Sequence, residues 1–404
     1  MKTLLILGAG VEQIPAIKMA KKMGLRVVVS DRNPNAPGFE YADEHFIAST
    51  MNAEESASAA VSFSKTHKID GVIAIATDCP LTVAYIANRL NIPGISIKTA
   101  KLASNKLLMK NQFKKDAIPI PWFKEINLFA DLKTAIKKRG FPLIIKPIDS
   151  RGARGVLLLK DGINLEWAYE TSKNESPTKK VMIEEFLRGA QISTESIIIK
   201  GNAFTVGYSD RNYEFLETFS PYIIENGGQL PAILSEKQKI QINTLLAKAS
   251  RSLGIKTGTI KGDIVMTKDG PKVIEIAARL SGGYFCSNII PLSTGVDFLK
   301  YAIKLSLGEP VNTKELMPKY NKGVAQRFFF PKEGIVKSLS GADKVKRLHY
   351  IIMLGIYVKI GDRVQKITDH TKRAGFLIAV GKTREEAVRH VEEAVKTIKI
   401  ETEK

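Results

Sequence analysis

Two acidic residues on either side of a predicted turn could hold a divalent cation between them. Strand-like runs flank Lys268-Asp269-Gly270-Pro271, and an Asp-Gly turn between such runs predicts a β-hairpin. With the hairpin centred near Asp269, Asp263 and Glu275 face each other with their Cβ atoms about 5 Å apart. Two facing carboxylates repel unless a cation lies between them, and hard oxygens without nearby His or Cys suit Mg²⁺. Taken alone, the pattern is equally typical of an exposed hairpin with solvated acids.

A glycine-rich loop earlier in the chain could bind the phosphates that such a cation accompanies. The apolar run 141–147 predicts a strand with Lys146 at its end, and the run 156–159 predicts the next strand. Between them lies Asp149-Ser150-Arg151-Gly152-Ala153-Arg154-Gly155, whose backbone N–H groups could close over phosphates. An ordinary hairpin loop would have the same composition.

The middle of the chain, residues 101–253, contains further predicted helices and strands. Residues 101–116 form a basic, helical stretch, and the prolines within 118–121 indicate a linker into a new subdomain. Residues 181–187 predict an apolar strand that ends in acids. Residues 236–253 predict an amphipathic helix that precedes the hairpin.

The N-terminal part of the chain predicts a parallel α/β unit. Helix-like segments alternate with strand-like runs at 3–9, 25–30 and 69–76. The turn Gly8-Ala9-Gly10 and Asp31 after the second strand imitate a dinucleotide-binding fingerprint, but the third glycine position is Gln13. The incomplete motif favours NAD only weakly, and it is also typical of a tight strand-to-helix turn.

The composition of the 404-residue chain is that of an ordinary globular protein of two or three domains, with 44% hydrophobic and 25% charged residues. The net charge of +20 favours anionic partners such as nucleotides and carboxylates. The basic residues are scattered and no basic-aromatic module is present, so we expect no specific nucleic-acid binding. No apolar run has membrane-spanning length, and Cys79 and Cys286 are far apart, so we expect a cytoplasmic protein without membrane association.

The order of these features resembles the ATP-grasp superfamily, specifically its biotin-carboxylase-like branch. A helix lysine, a strand lysine, a glycine loop, an acidic strand end and a carboxylate hairpin followed by Arg279 appear in that order. The resemblance covers essentially the whole chain and implies a three-domain fold, of the α/β and α+β classes, with an N-terminal parallel α/β domain. The implied domains are residues 1–100, an ATP-grasp domain at 101–310 with a mobile lid near 120–185, and a biotin-carboxylase-like domain at 311–404.

The resemblance also implies which residues bind ATP. The phosphates would be bound by two lysines and the glycine loop, namely Lys106, Lys146, Ser150, Gly152 and Gly155. The hinge that reads adenine would comprise Glu184, Glu185 and Leu187. Gln191 stands where family members often have a ribose-binding glutamate, and an amide could still bond the ribose hydroxyls.

Asp263 and Glu275 match the acids that hold Mg²⁺, or Mn²⁺ in its place, in the family. Ala277 stands where relatives usually have a third, asparagine ligand, which puts the position of a second ion in doubt. Arg279 matches the arginine that holds the transferred phosphate or the acyl phosphate, and Lys146 would be the second catalytic cation.

The reaction that the resemblance implies is ATP-dependent carboxylate–amine ligation through an acyl phosphate. EIAARLSGG, which begins at the second acid, is similar to amino-acid and dipeptide ligases of this branch. A homodimer would act on small-molecule carboxylates and amines, with substrate contacts from Thr77, Asp78, Arg327 and Arg373. The alternative within the superfamily is a purine-biosynthesis or carbamoyl-phosphate-type enzyme that activates formate or bicarbonate. An NAD-dependent oxidoreductase and a nucleic-acid-binding protein are the alternatives from other classes.

Overall fold

The computed structural model describes residues 1–403 and divides them among helices and four β-sheets. The helices are α1 (Ile14–Lys22), α2 (Ala53–Ser64), α3 (Pro80–Leu90), α4 (Ile97–Ser104), α5 (Lys106–Lys115), α6 (Phe129–Arg139), α7 (Leu165–Asn174), α8 (Glu236–Leu253), α9 (Ile290–Thr294), α10 (Phe298–Ser306), α11 (Ala342–Lys346) and α12 (Arg384–Thr397). The strands are β1 (Thr3–Leu7), β2 (Arg26–Asp31), β3 (Glu44–Ile47), β4 (Gly71–Ala74), β5 (Phe123–Ile126), β6 (Leu143–Pro147), β7 (Leu157–Leu159), β8 (Val181–Glu185), β9 (Ala190–Ile199), β10 (Asn202–Arg211), β11 (Gly228–Leu230), β12 (Gly258–Thr267), β13 (Gly270–Ala277), β14 (Gly323–Phe328), β15 (Gly334–Ser340), β16 (Ile351–Ile356), β17 (Arg363–Val364), β18 (Gly375–Gly381) and β19 (Lys399–Glu403).

The first four strands form a parallel sheet in the order β3-β2-β1-β4, which confirms the predicted N-terminal α/β unit. Leu4 and Ile6 share a buried cluster with residues of α1 and α10, whereas Leu5 and Leu7 share another with residues of α2 and α3. A parallel strand covered on both faces reads as a nearly continuous apolar run, which explains the sequence LLIL after Thr3 in β1.

A smaller sheet in the order β5-β8-β6-β7 is antiparallel and carries the glycine-rich loop between β6 and β7. Its apolar face packs against α6 and α7 through Leu132, Ala135, Ala168 and Tyr169. The predicted strands 141–147 and 156–159 are therefore present, each a residue or two shorter than expected.

The central sheet has eight antiparallel strands in the order β13-β12-β9-β10-β11-β14-β18-β16. Helix α8, predicted at 236–253 and found there, shares a buried cluster with the β12–β13 end, and α12 packs on β14 and β18. Strands from both sides of residue 310 thus belong to one sheet, and β15, β17 and β19 form a separate small sheet. In the chain up to residue 403, we find no helix that is both long and apolar enough to cross a bilayer.

The basic stretch 101–116 is not one helix, as predicted, but two. Asn105 has an extended backbone (φ −121°, ψ 114°) and ends α4. Its side chain accepts hydrogen bonds from the amides of Leu107 and Leu108, so it also caps α5. This break makes Lys106 the first residue of α5, and the Lys106 amide donates to Ile148 O at 2.8 Å.

Candidate active site

A cavity of about 410 Å³ collects residues from the small sheet, the central sheet and the junction with the parallel sheet. Most of the residues singled out in the sequence line it, namely Asp78, Lys106, Lys146, Ser150, Gly152, Glu184, Glu185, Leu187, Gln191, Asp263, Glu275, Arg279 and Arg373. Three others, Thr77, Gly155 and Arg327, are not on the cavity wall.

The two hairpin acids face each other, because Asp263 of β12 pairs with Glu275 of β13. The turn is shorter than predicted, since Thr267 pairs with Gly270. A regular hairpin with that turn would pair Asp263 with Ile274 and direct Glu275 to the opposite face. The register shifts by one residue between Asp263 and Ile264, so Ile274 is taken up in a β-bulge. The predicted pairing therefore depends on a bulge as well as on the turn.

Protein cations already lie beside Asp263. Lys261 is hydrogen-bonded to Asp263, and Arg211 Nη2 lies 3.2 Å from Asp263 Oδ1. Burial would raise the pKa of the Asp263 carboxyl, but the charges of Arg211 and Lys261 hold that pKa at about 2. The repulsion between the facing acids is thus partly offset by neighbouring side chains, an arrangement that the hairpin sequence does not reveal.

Asp263 and Glu275 fit a magnesium ion that also binds substrate phosphates. Asp263 is ionised at neutral pH, and both carboxylates are on the cavity wall. Within residues 1–403, no cluster of three His, Cys, Asp or Glu residues forms a protein-only metal site, and Ala277 offers no side-chain oxygen. Mg²⁺ usually takes one or two protein carboxylates and completes its shell with water and phosphate oxygens. The donor set therefore suits Mg²⁺ that is shared with a nucleotide.

Lys106 is held between the acidic hairpin and the glycine-rich loop. Its Nζ lies 3.6 Å from Glu275 Oε2 and donates to Ser150 O at 2.7 Å. Because the amide of the same residue is bonded to Ile148 at the end of β6, the lysine is fixed at both its backbone and its ammonium group. The Lys106 ammonium group therefore lies between the hairpin, which is predicted to hold the metal ion, and the glycine-rich loop, which is predicted to bind phosphate.

Glu184 holds two lysines in the interior of the site. Lys146 Nζ lies 2.8 Å from Glu184 Oε1, and Lys110 Nζ lies 3.3 Å from the same oxygen. Burial would raise the pKa of Glu184, but the two ammonium groups bring it below its usual value. Burial lowers the pKa of Lys110, which the sequence analysis did not single out, to about 8. The Glu184 side chain is therefore engaged with these lysines, and Glu184 itself lies within β8, which pairs with β5 on one side and β6 on the other.

Replacing Glu184 with glutamine should lower the free energy of unfolding by about 3 kcal/mol, because losing one partner leaves buried charges uncompensated. Urea unfolding at neutral pH measures this. The matched control is Glu170→Gln, since Glu170 forms an exposed ion pair with Lys173 at 3.9 Å and should matter little. Equal losses in the two variants would contradict the buried network.

The segment after β8 presents free backbone groups to the cavity. The strand ends at Glu185, whose amide donates to Trp122 O at 2.9 Å. Throughout the described chain, residues 1–403, no protein hydrogen bond involves the backbone of Phe186 or Leu187, and both residues line the cavity. These donor and acceptor groups are what the edge of a purine ring requires, and Gln191 lies on the same wall.

The glycine-rich loop contacts the opposite wall of the cavity. Gly152 and Gly155 have left-handed φ angles of +65° and +69°. The amide of His370 donates to Gly152 O at 3.0 Å, which connects the loop to the C-terminal region. A Cβ at Gly155 would lie 2.9 Å from Pro147 Cγ, so Gly155 allows close packing beneath the loop and is not on the cavity wall.

Arg279 lies where the hairpin meets the parallel sheet. The backbone of Leu280 bonds to Ala74 O and Ala76 N, which extends the edge of β4. Arg279 Nε lies 3.4 Å from Asp78 Oδ1. Burial would lower the pKa of Arg279, but the negative charge of Asp78, with smaller effects of other acids, raises it above its usual value. A permanently charged guanidinium is therefore present beside the acidic hairpin.

Of the four residues predicted to contact substrate, Asp78 and Arg373 line the cavity and the other two do not. Arg327 Nη2 lies 3.1 Å from Glu392 Oε1 on α12. Successive strand residues point to opposite faces, so Gln326 and Phe328 line the cavity while Arg327 faces the helix.

Thr77 belongs instead to the N-terminal turn, whose amides are all used within the protein. Gln13 Nε2 lies 3.4 Å from Thr77 Oγ1. The amides of Gly8, Ala9 and Gly10 donate to Ser30 O, Asp31 Oδ2 and Gln13 Oε1, at 2.8, 2.9 and 2.8 Å. A dinucleotide pyrophosphate would need those same amides, so the turn does not support the NAD-dependent alternative.

The sequence analysis missed several titratable residues on the wall, among them Lys261, Arg211, Glu225 and His370. Glu225 Oε2 lies 2.9 Å from Arg211 Nη1 and 3.5 Å from Arg373 Nη2. Burial, together with the charges of Arg373 and Arg211, lowers the pKa of His370 well below its usual value, so its imidazole is neutral. These residues are far apart in the chain, and no spacing rule connects them.

Three family models match successive parts of the chain. The PylC-like N-terminal domain matches residues 4–89, the ATP-grasp domain residues 103–283, and the L-amino acid ligase C-terminal domain 2 residues 327–403. The three matches follow one another along the chain without overlap.

Individual proteins are similar to the chain at low identity. Alanine–anticapsin ligase of Bacillus subtilis is 26% identical over 277 residues, which are 62% of this chain and 57% of that protein. Phosphoribosylamine–glycine ligase of Methanococcus maripaludis is 25% identical over 433 aligned residues, 99% of this chain and 94% of that protein. The crystal structure of L-amino acid ligase from Bacillus licheniformis superposes with a TM-score of 0.83 at 21% identity, covering 100% of this chain and 99% of that one. At that identity the superposition supports the fold alone.

Proposed function

The chain belongs to the ATP-grasp superfamily, and we propose that it is an ATP-dependent carboxylate–amine ligase that forms an amide bond through an acyl phosphate. ADP and phosphate are the other products. The observation that carries the proposal is the single cavity shared by Lys106, Lys146, Asp263, Glu275 and Arg279. Those residues supply the positive charge and the hard oxygen ligands that phosphoryl transfer to a carboxylate requires.

The nucleotide occupies the side of the cavity between the small sheet and the hairpin. Its adenine edge bonds to the free backbone groups at Phe186 and Leu187, and its phosphates extend toward Lys106 and Lys146. Asp263 and Glu275 would hold Mg²⁺ together with the phosphates, and the ion would supply positive charge beside the phosphate oxygens. The contact between the glycine-rich loop and His370 covers the phosphates, which keeps water from the reactive acyl phosphate.

The proposed reaction has two steps. One anion, the substrate carboxylate, attacks another, the γ-phosphate of ATP, and an amine then attacks the product of that step. A substrate carboxylate oxygen attacks the γ-phosphorus, and the bond to the β-phosphate oxygen breaks as ADP leaves. Arg279 stabilises the negative charge that accumulates on the transferred phosphoryl group. The amine then attacks the acyl carbon, the C–N bond forms, and phosphate leaves with the electrons of the broken C–O bond. The amine loses a proton in this step.

We propose small molecules with carboxylate and amine groups as substrates, with amino acids as the leading class. Supporting this class are the match of residues 327–403 to the L-amino acid ligase C-terminal domain 2 and the similarity to alanine–anticapsin ligase. A purine-pathway ligation is the second candidate, because the phosphoribosylamine–glycine ligase aligns over nearly the whole chain. We also propose a homodimer, which sedimentation equilibrium of the purified protein would test.

The test is ADP release in the presence of Mg²⁺ across a panel of amino acids, alone and in pairs. Glycine with phosphoribosylamine, formate and bicarbonate complete the panel. We expect ADP release that depends on a carboxylate and an amine together, with the amide product identified by mass spectrometry. Absence of substrate-dependent ADP release across the panel, together with absence of ATP binding by calorimetry, would overturn the ligase function.

A further inference from the structure

Glu195 lies behind the cavity wall, and the chemistry described above makes no use of it. It is in the middle of β9 and has no exposed surface. Its register partners are Gly207 of β10 and Lys261 of β12. Both of its carboxylate oxygens are bonded to one residue, Ser281. Oε1 accepts from the Ser281 amide at 3.1 Å, and Oε2 accepts from Ser281 Oγ.

Ser281 is the centre of a short connection, residues 279–283, that we call the junction loop. Arg279, Ser281, Gly282 and Gly283 all line the cavity. The loop is held on one side by the backbone pairing of Leu280 with the edge of β4, and at its end by Gly283 N, which donates to Glu12 Oε2 at 2.8 Å. Glu195 supplies the anchor between these two points, from the central sheet.

The carboxyl group of Glu195 is costly to bury. Among residues 1–403, no lysine or arginine lies within ion-pair distance of it, so Ser281 is its direct partner. Burial raises the pKa of Glu195 to about 7, against the lowering effect of the Ser281 bonds and of the charges of Arg279 and Lys261. A glutamine would occupy nearly the same volume without this cost, so filling space does not account for an acid here.

We propose that Glu195 is a positioning residue for the ligation step, which holds Ser281 so that Arg279 and the Gly282-Gly283 backbone stay in place against the reacting groups. The inference rests on the ligase function proposed above. Only the ionised carboxylate accepts both Ser281 bonds, since a protonated carboxyl must donate its hydrogen and one bond must reverse. The charge of Glu195 also helps to keep Arg279 protonated.

The groups that face Glu195 come from four segments of the chain. Lys261 faces it from β12 and Arg279 from the junction loop. The Cys286 thiol donates to Ser281 O at 3.1 Å from the following helical turn, and burial raises its pKa well above the usual value, so it stays protonated. Glu12 lies across the loop at Gly283. The pKa of Arg279 is raised above its usual value, so its charge is constant near pH 7, whereas burial lowers the pKa of Lys261 and raises that of Glu12. The comparison of the wild type with Glu195→Gln therefore isolates the effect of Glu195.

The first experiment tests the anchoring without requiring turnover. Glu195→Gln should reduce hydrogen-exchange protection of the amides at 279–283 by about tenfold, since the amide side chain retains one acceptor where the carboxylate has two. The matched control is Thr194→Val, which removes a buried bond from Thr194 Oγ1 to Gly262 O at 3.2 Å on the same strand but off the cavity wall. Unchanged protection in Glu195→Gln would overturn the proposal, whatever reaction the protein catalyses.

The second experiment tests the effect on catalysis. Glu195→Gln should lower kcat by about 10²-fold, the size expected when reacting groups are misplaced by about 1 Å, with little change in the KM for ATP. The wild-type kcat should rise with pH around 7 as Glu195 ionises, and that rise should be missing in Glu195→Gln. Thr194→Val should keep the wild-type profile. A merely structural role would change the Tm of Glu195→Gln while leaving its kcat and pH profile as in the wild type, and that result would overturn the proposal.

The pH dependence of thermal stability is an independent test of the proposal. Because the folded pKa of Glu195 lies above the unfolded value, its contribution to stability is fully present below about pH 4.5 and is lost as the pH rises through about 7. The Tm of the wild type relative to Glu195→Gln should therefore fall over this range. If the exchange and Tm differences appear but the wild type releases no ADP with any member of the panel, the ligase function fails and Glu195 is left with a structural role alone. If ADP release occurs and the exchange difference does not, the ligase stands and the positioning role fails.

Discussion

Replacing Glu275 with glutamine should reduce Mg²⁺-dependent ATP turnover by about 10³-fold while leaving the fold intact. The substitution removes one of the two facing carboxylates of the hairpin and the partner of Lys106 at 3.6 Å. Since Ala277 offers no alternative oxygen, no neighbouring side chain on that strand would replace the lost ligand. ADP release at saturating ATP measures the effect, and circular dichroism checks the fold.

The matched control for this substitution lies on the same hairpin. Asp269→Asn makes the same change of charge at the exposed turn, away from the cavity, and should leave turnover and the Mg²⁺ dependence unchanged. Titration with Mg²⁺ separates a metal role from a general electrostatic one, because a lost ligand raises the Mg²⁺ concentration needed for half-maximal turnover. Near wild-type turnover in Glu275→Gln would show that the metal assignment is wrong.

Replacing Arg279 with glutamine should lower kcat by about 10² to 10³-fold and change the KM for ATP much less. The guanidinium stabilises charge that develops on the transferred phosphoryl group, so its loss affects the transition state more than the bound nucleotide. Arg279→Lys keeps the charge but loses the planar fork, and we expect it to recover only part of the activity. Single-turnover measurements of acyl-phosphate formation give the most direct reading.

Arg279 is also the partner of Asp78 at 3.4 Å, so its removal leaves that carboxylate unpaired. The double variant Arg279→Gln with Asp78→Asn removes this unpaired charge. It therefore separates a loss of catalytic rate from a loss of structural stability. Arg347→Gln, at an exposed position far from the cavity, controls for the change in net charge and should behave like the wild type. Recovery of kcat in the double variant would show that the arginine only balances Asp78.

Most of the fold could be predicted from the chain because secondary structure leaves a local pattern. Four consecutive apolar residues, Leu4–Leu7, follow Thr3 in β1, as expected of a strand buried on both faces, and the N-terminal sheet is parallel as predicted. The 236–253 segment repeats its apolar positions at helical spacing and is α8. The one misjudged helix was broken by Asn105, a cap residue whose preference for a helix start outweighs the helical composition around it.

Sequence patterns alone were enough to select Lys106, Lys146, Asp263, Glu275 and Arg279, which all line one cavity. The direction of individual side chains, and the partners that distant strands bring to them, depend on the tertiary structure. A shift of one residue turns a strand side chain to the other face, which is why the bulge at Ile274 is needed for Glu275 and why Arg327 faces α12 instead of the cavity. The pairing of Arg211 with Asp263, and of Glu195 with Ser281, joins segments that are adjacent only after the sheet has formed. No local pattern records such contacts, because packing of the whole sheet creates them.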